Sequence, residues 1–123
     1  MKNSRIAFKA AAKLPLVMAA APNGGRILLD EEAKRQDLPL NVVQDVNSFY
    51  LIKRIVRKFP VFTITTRTSV EEDLKKGELA GIPVVQPTIR QTFYLCAASR
   101  RMPTNTVKTV KALISDWAQT MRH

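Results

Sequence analysis

The feature that most constrains this chain is a hydrophobic pattern that keeps changing period. Short apolar runs alternate with stretches in which apolar residues recur every three or four positions. After Ser4–Lys13, which has room for one or two helical turns, Leu14-Pro-Leu-Val-Met18 reads as a short buried strand. Ala19-Ala-Ala-Pro-Asn-Gly-Gly25 then breaks the pattern with turn residues. Arg26 to about Gln36 has helical spacing and is closed by Pro39. Leu40–Val46 is a second, β-branched strand, and Asn47 and Ser48 are both good N-caps for a helix over Phe49–Lys58. On that helix Leu51, Ile52, Ile55 and Val56 form the apolar face, opposite Lys53, Arg54, Arg57 and Lys58. Val61–Thr65 is a third strand beyond Pro60. Thr68-x-x-Glu71 and Ser69-x-x-Glu72 are alternative capping boxes for a helix to Lys76, with Gly77 as its C′ residue. Leu79–Val85 and Thr92–Ala97 are extended, and Thr104–Met121 is a long amphipathic helix. Strands alternating with helices at these lengths predict βαβ units, hence a single-domain α/β fold with a mainly parallel sheet.

Composition narrows the chemistry. The 123 residues hold one cysteine, Cys96, and one histidine, His123, so a disulfide framework, a zinc site and a histidine-based triad are all excluded. The single cysteine fits a reducing cytoplasm, and no cofactor is implied. Leu14–Gly25 is too short and too interrupted by Pro15 and Pro22 to span a bilayer, and Lys2, Arg5, Lys9 and Lys13 interrupt any signal-like run. The net charge of +10 invites a nucleic-acid reading. Its distribution tempers that reading, because the excess sits at the two ends while residues 30–80 are balanced. No dense basic stripe with interleaved aromatics is present.

Candidate site residues are few. Asn23-Gly24-Gly25 can present N–H groups to an anion at a helix N-terminus, although a plain tight turn is the preferred reading. Asn47 and Ser48 are first of all helix caps, but they follow a strand, and strand C-termini are where open α/β sheets bind ligands. Thr63, Thr65 and Thr66 supply hydroxyls at the end of the third strand, and alternation places Thr63 and Thr65 on one face, with Phe62 and Ile64 on the other. Cys96 reads as a buried, inert thiol and Trp117 as core or interface. The acidic triplets Asp30-Glu31-Glu32 and Glu71-Glu72-Asp73 read as helix-start residues that complement the dipole, so no acid–base pair stands out. Lys53, Arg54, Arg57 and Lys58 read as a solvated helix face before a phosphate-binding one.

The order and spacing of these segments resemble the effector-binding domain of LysR-type transcriptional regulators. Leu14-Pro-Leu-Val-Met18, led into by Arg5-Ile-Ala-Phe-Lys9, resembles the family's "PLI" strand. Asn23-Gly24-Gly25-Arg26 is similar to its glycine-containing turn, and Asp45-Val46-Asn47-Ser48 to its "(D/N)S" helix start. Val56–Val70 matches without gaps the stretch that usually reads "VAAGLGITLLPRSAV". Lys76-Gly77-Glu78-Leu79 resembles the "G-x-L" step, and Thr92–Ala97 with Met102-Pro103 the closing strand and final helix. Two departures stand out. Phe59-Pro60-Val61 replaces Gly-Leu-Gly, which predicts a reshaped turn and a changed pocket beside it, and Thr66 replaces the usual proline.

The resemblance implies a three-layer α/β lobe of the periplasmic-binding-protein type 2 kind and a non-enzymatic ligand sensor. By the same resemblance, residues 1–123 form a partial domain. About 14–89 would be the second lobe, 95–121 would return to the first, and no DNA-binding domain would be included. The implied ligand is a small anionic effector, with Ala19, Ala20, Asn23, Asn47, Ser48, Phe62, Thr63 and Thr65 forming one cleft wall. DNA would be reached only through a helix-turn-helix domain. An uncovered apolar stripe of Val107, Val110, Ile114 and Trp117 predicts a homo-oligomer through the last helix. The alternative is a stand-alone basic interaction or nucleic-acid-binding protein acting through Lys53, Arg54, Arg57 and Lys58. A small α/β enzyme lacks any usable nucleophile, histidine or metal cluster.

Overall fold

The computed structural model describes residues 5–20, 23–85 and 92–101. The predicted helix over Thr104–Met121, with Trp117 and the proposed association stripe, lies outside the described residues. The elements are β1 (Ile6–Ala7), α1 (Phe8–Ala11), β2 (Leu16–Ala19), α2 (Gly24–Arg35), β3 (Val42–Val46) and α3 (Phe49–Lys58). They continue with β4 (Thr63–Thr66), α4 (Arg67–Lys75), β5 (Leu79–Val85) and β6 (Phe93–Ala98), ending on a short 3₁₀ turn over Ser99–Arg101.

The strand pairing is mixed rather than mainly parallel. β2 pairs with β3, and β1 with β5, in parallel, whereas β6 runs antiparallel to both β4 and β5. The four-stranded sheet has the order β1-β5-β6-β4, and a single parallel bridge, Leu16↔Phe62, joins it to the β2-β3 pair. The sequence pattern missed this because β6 carries the continuous apolar run Phe93-Tyr-Leu-Cys-Ala-Ala98, buried on both faces, and such a run does not record strand direction. Leu95–Ala98, which the resemblance gives to the first lobe, thus lies between β4 and β5.

The core is apolar and continuous. Phe8, Leu14, Leu16, Leu29, Val70 and Leu95 are each at most 1% exposed. On α3, Ile52 and Val56 are buried, with Phe49 and Ile55 packed beside them. Leu51, expected on that face, is 45% exposed because its position falls at the edge of the stripe.

Two helices end in the same way. After α4, Gly77 N–H donates to Leu74 O and Glu78 N–H to Asp73 O, a Schellman motif with Gly77 at φ +75° as predicted for C′. After α2, Asp37 N–H donates to Lys34 O and Leu38 N–H to Ala33 O, the same motif with a non-glycine residue at φ +51°. The departure at Phe59-Pro60-Val61 needs no left-handed residue; Val61 N–H simply donates to Phe59 O at 2.8 Å. That turn leads into the N-terminal side of β4.

Candidate functional site

β2, β3 and β4 all point the same way, and each feeds a helix just beyond its carboxyl end. The sequence dictates this locally. Asn23 Oδ1 accepts the Arg26 N–H at 3.1 Å to start α2, and Ser48 Oγ accepts the Leu51 N–H at 3.3 Å to start α3. Thr66 is the N-cap of α4, its hydroxyl 3.0 Å from Ser69 Oγ. Neither capping box starting at Thr68 or Ser69 forms, because α4 begins at Arg67. The acidic triplets therefore sit one or more turns into α2 and α4. The first turns of α2, α3 and α4 contain no acidic residue, which corrects the expectation that carboxylates complement these dipoles.

Between these ends lies a pocket of about 370 Å³, lined from β2 by Met18 and Ala19, from the α2 start by Asn23, Gly25 and Arg26, and from the α3 start by Asn47 and Phe49. Thr63, Ile64, Thr65 and Thr66 of β4, with Ser69 of α4 and Phe93 of β6, close it. No aspartate or glutamate is among the described lining. A Cβ added at Gly25 would meet the capping Asn23 Oδ1 at 3.3 Å and the Phe93 ring at 3.5 Å.

Arg26 looks like the pocket's cation, but its guanidinium is already engaged. Nη1 donates to Asp45 Oδ1 at 2.5 Å and to Ala19 O at 3.0 Å, and Nε donates to Asp30 at 3.1 Å. Burial opposes its charge, yet the bonds to Asp45 and Asp30 outweigh that and hold its pKa above the ordinary value. Arg26 therefore staples the ends of β2 and β3 to α2.

Of the eight residues named from the sequence, Ala19, Asn23, Asn47, Thr63 and Thr65 line this pocket. Ala20, Ser48 and Phe62 do not. Ala20 N–H bonds Val46 O, Ser48 is occupied as a cap, and Phe62 is 2% exposed in the core. Ser69 reads in the sequence only as a helix cap, and Thr66 as a third hydroxyl at the strand end, off the face that Thr63 and Thr65 share. The replacement of the family's proline by Thr66 was the available signal, since it exchanges a ring for a hydroxyl at a strand's carboxyl end. Phe59-Pro60-Val61 lies away from the pocket, at the other end of β4.

The basic residues of α3 are partly committed elsewhere. Lys53 Nζ lies 2.9 Å from Asp73 Oδ2, and Arg57 Nη1 lies 2.8 Å from Glu78 Oε2 and 3.6 Å from Asp73 Oδ1. Cys96 is buried, and burial first, then the charge of Asp73, pushes its pKa up to about 12. No group of three or more His, Cys, Asp or Glu residues could hold a metal ion among the described residues. Nor is any described helix long and apolar enough to cross a membrane.

A crevice beyond parallel strand ends, ringed by helix N-termini and with no acid in its described lining, is the layout by which α/β sheets hold small ligands. The chain belongs to the LysR substrate binding domain family, whose model matches residues 2–119. That family is the effector-sensing part of LysR-type transcriptional regulators, a regulatory domain rather than a catalytic one. No curated protein and no solved structure matches the chain.

Proposed function

We propose that this pocket binds a small anionic effector. The observation that carries the reading is the convergence of the N-termini of α2, α3 and α4 on one hollow whose described lining lacks acids. Each helix places roughly half a positive elementary charge at that end. Because no carboxylate in the first turns cancels it, the combined field favours an anion without a mobile lysine or arginine. Side-chain amides and hydroxyls from Asn23, Asn47, Thr65, Thr66 and Ser69 supply directional contacts. In this reading residues 14–89, with β6, form one wall of an effector cleft. Occupancy of the cleft then shifts the arrangement of a regulator oligomer whose helix-turn-helix domain holds DNA.

Calorimetric titration with acetate, benzoate and inorganic phosphate tests it. Saturable binding that weakens with added salt is expected for at least one of them. Thr65→Val and Ser69→Ala should each weaken it about fivefold, the loss of one ordinary hydrogen bond. Absence of saturable binding by all three anions would refute the reading. Of the four α3 cations in the nucleic-acid alternative, Lys53 and Arg57 pair with Asp73 and Glu78, which leaves that alternative to Arg54 and Lys58.

A further inference from the structure

At the floor of the pocket a parallel ladder starts and then stops. Phe62 N–H donates to Pro15 O at 2.9 Å, and Val17 N–H donates to Phe62 O at 2.8 Å. Alternation along β4 directs the Ile64 N–H to the same side as that of Phe62, where the next rung would use the Val17 carbonyl. That rung is not made, since Leu16↔Phe62 is an isolated bridge. The Ile64 N–H instead faces Met18 Sδ at 3.5 Å, and the Thr63 hydroxyl, on a residue 2% exposed, faces the same sulfur at 3.8 Å. Thioether sulfur is a weak acceptor. Two buried donors thus share one poor partner, and Met18, Thr63 and Ile64 all line the pocket.

We propose that Met18 is a displaceable floor, and that an oxygen acceptor of the ligand, a carboxylate or carbonyl, takes the Ile64 N–H and the Thr63 hydroxyl in its place. This rests on the ligand-binding reading of the pocket and adds a subsite with its chemistry. Strong acceptors outbid sulfur for both donors. Methionine has three side-chain torsions and a polarizable end, so it can swing aside without backbone movement. A ligand that carries only donors gains nothing at this floor and leaves Met18 in place.

The test compares benzoate with benzylammonium, which share a ring and differ in having acceptors or only donors. On the full chain, labelled on amide nitrogen and methionine methyls, benzoate should move the Ile64 amide proton downfield and the Met18 methyl together. Benzylammonium should move neither. Met18→Ala removes both the competing sulfur and the bulk that has to move, so benzoate should bind about two- to fivefold tighter. If that variant does not fold, the two signals in the unaltered protein decide the matter alone. Shifts at Thr65 and Ser69 without movement at Ile64 and Met18 would overturn the subsite and leave the pocket reading standing. Absence of any pocket shift with benzoate would overturn the subsite, and the same result with acetate and phosphate would overturn the pocket reading as well.

Discussion

Arg26 and Cys96 show how burial and partners decide what a residue can do. Arg26 ties Ala19, Asp30 and Asp45 together at the strand ends. Its replacement by alanine removes charge-assisted bonds at a site only 14% exposed, and should cost about 2 kcal/mol in urea unfolding. Cys96 behaves oppositely, being inert because it is buried. Its thiol should resist a disulfide reagent in the native protein and react on unfolding. A raised folded pKa stabilises the native state while the thiol is protonated. That contribution is complete below the ordinary value of 9.0 and is lost as pH rises toward about 12. Stability measured across that window should therefore fall more steeply in the parent than in Cys96→Ala, by up to about 1.4 kcal/mol per pH unit. Equal slopes would contradict the assignment.

At the scale of elements, α2 and α4 share a C-terminal motif but differ in the residue that turns it. Gly77 takes a left-handed conformation freely, whereas Asp37 at φ +51° pays a steric cost for its Cβ. Asp37→Gly should stabilise the protein by about 0.5 kcal/mol, read as a shift in the denaturation midpoint. Asp73 is the more consequential position, because it is 7% exposed and receives Lys53 and Arg57 from the neighbouring helix. Asp73→Asn leaves Lys53 facing a neutral amide, while Arg57 keeps Glu78. It should cost about 2 kcal/mol, less than a fully buried pair because both cations remain partly in solvent. These elements were mostly legible in the sequence. The helix over Phe49–Lys58 has the predicted bounds, since a serine cap and a three-to-four-residue stripe are local signals. The direction of β6 was not legible, because strand polarity follows from distant pairing that an apolar run does not encode. The start of α4 was misplaced because Thr66, Thr68 and Ser69 are all acceptable caps, and only the end of β4 selects among them.

At the scale of the molecule, the pocket is a consequence of topology. Three parallel strands end on one side, three helices begin there, and acids are displaced to later turns. Five of the eight residues named from the sequence line the pocket, because strand ends followed by caps are visible locally. Ala20 is taken up in strand pairing, Phe62 in the core and Ser48 in capping α3, while Ser69 reaches the pocket because α4 starts at Arg67. Facing the pocket depends on where each helix starts, to within one residue. The proposed association of chains through Thr104–Met121 belongs to this scale as well. Sedimentation at micromolar concentration should give a species heavier than 13.8 kDa, and a monomer would contradict it. The central claim, an anion held by three helix N-termini, is tested most directly by titrating benzoate into the amide-labelled chain and mapping which signals move. The account predicts saturable, salt-sensitive shifts clustered at Gly24–Arg26, Asn47–Tyr50 and Thr63–Ser69. Shifts confined to the basic face of α3, around Arg54 and Lys58, would contradict it.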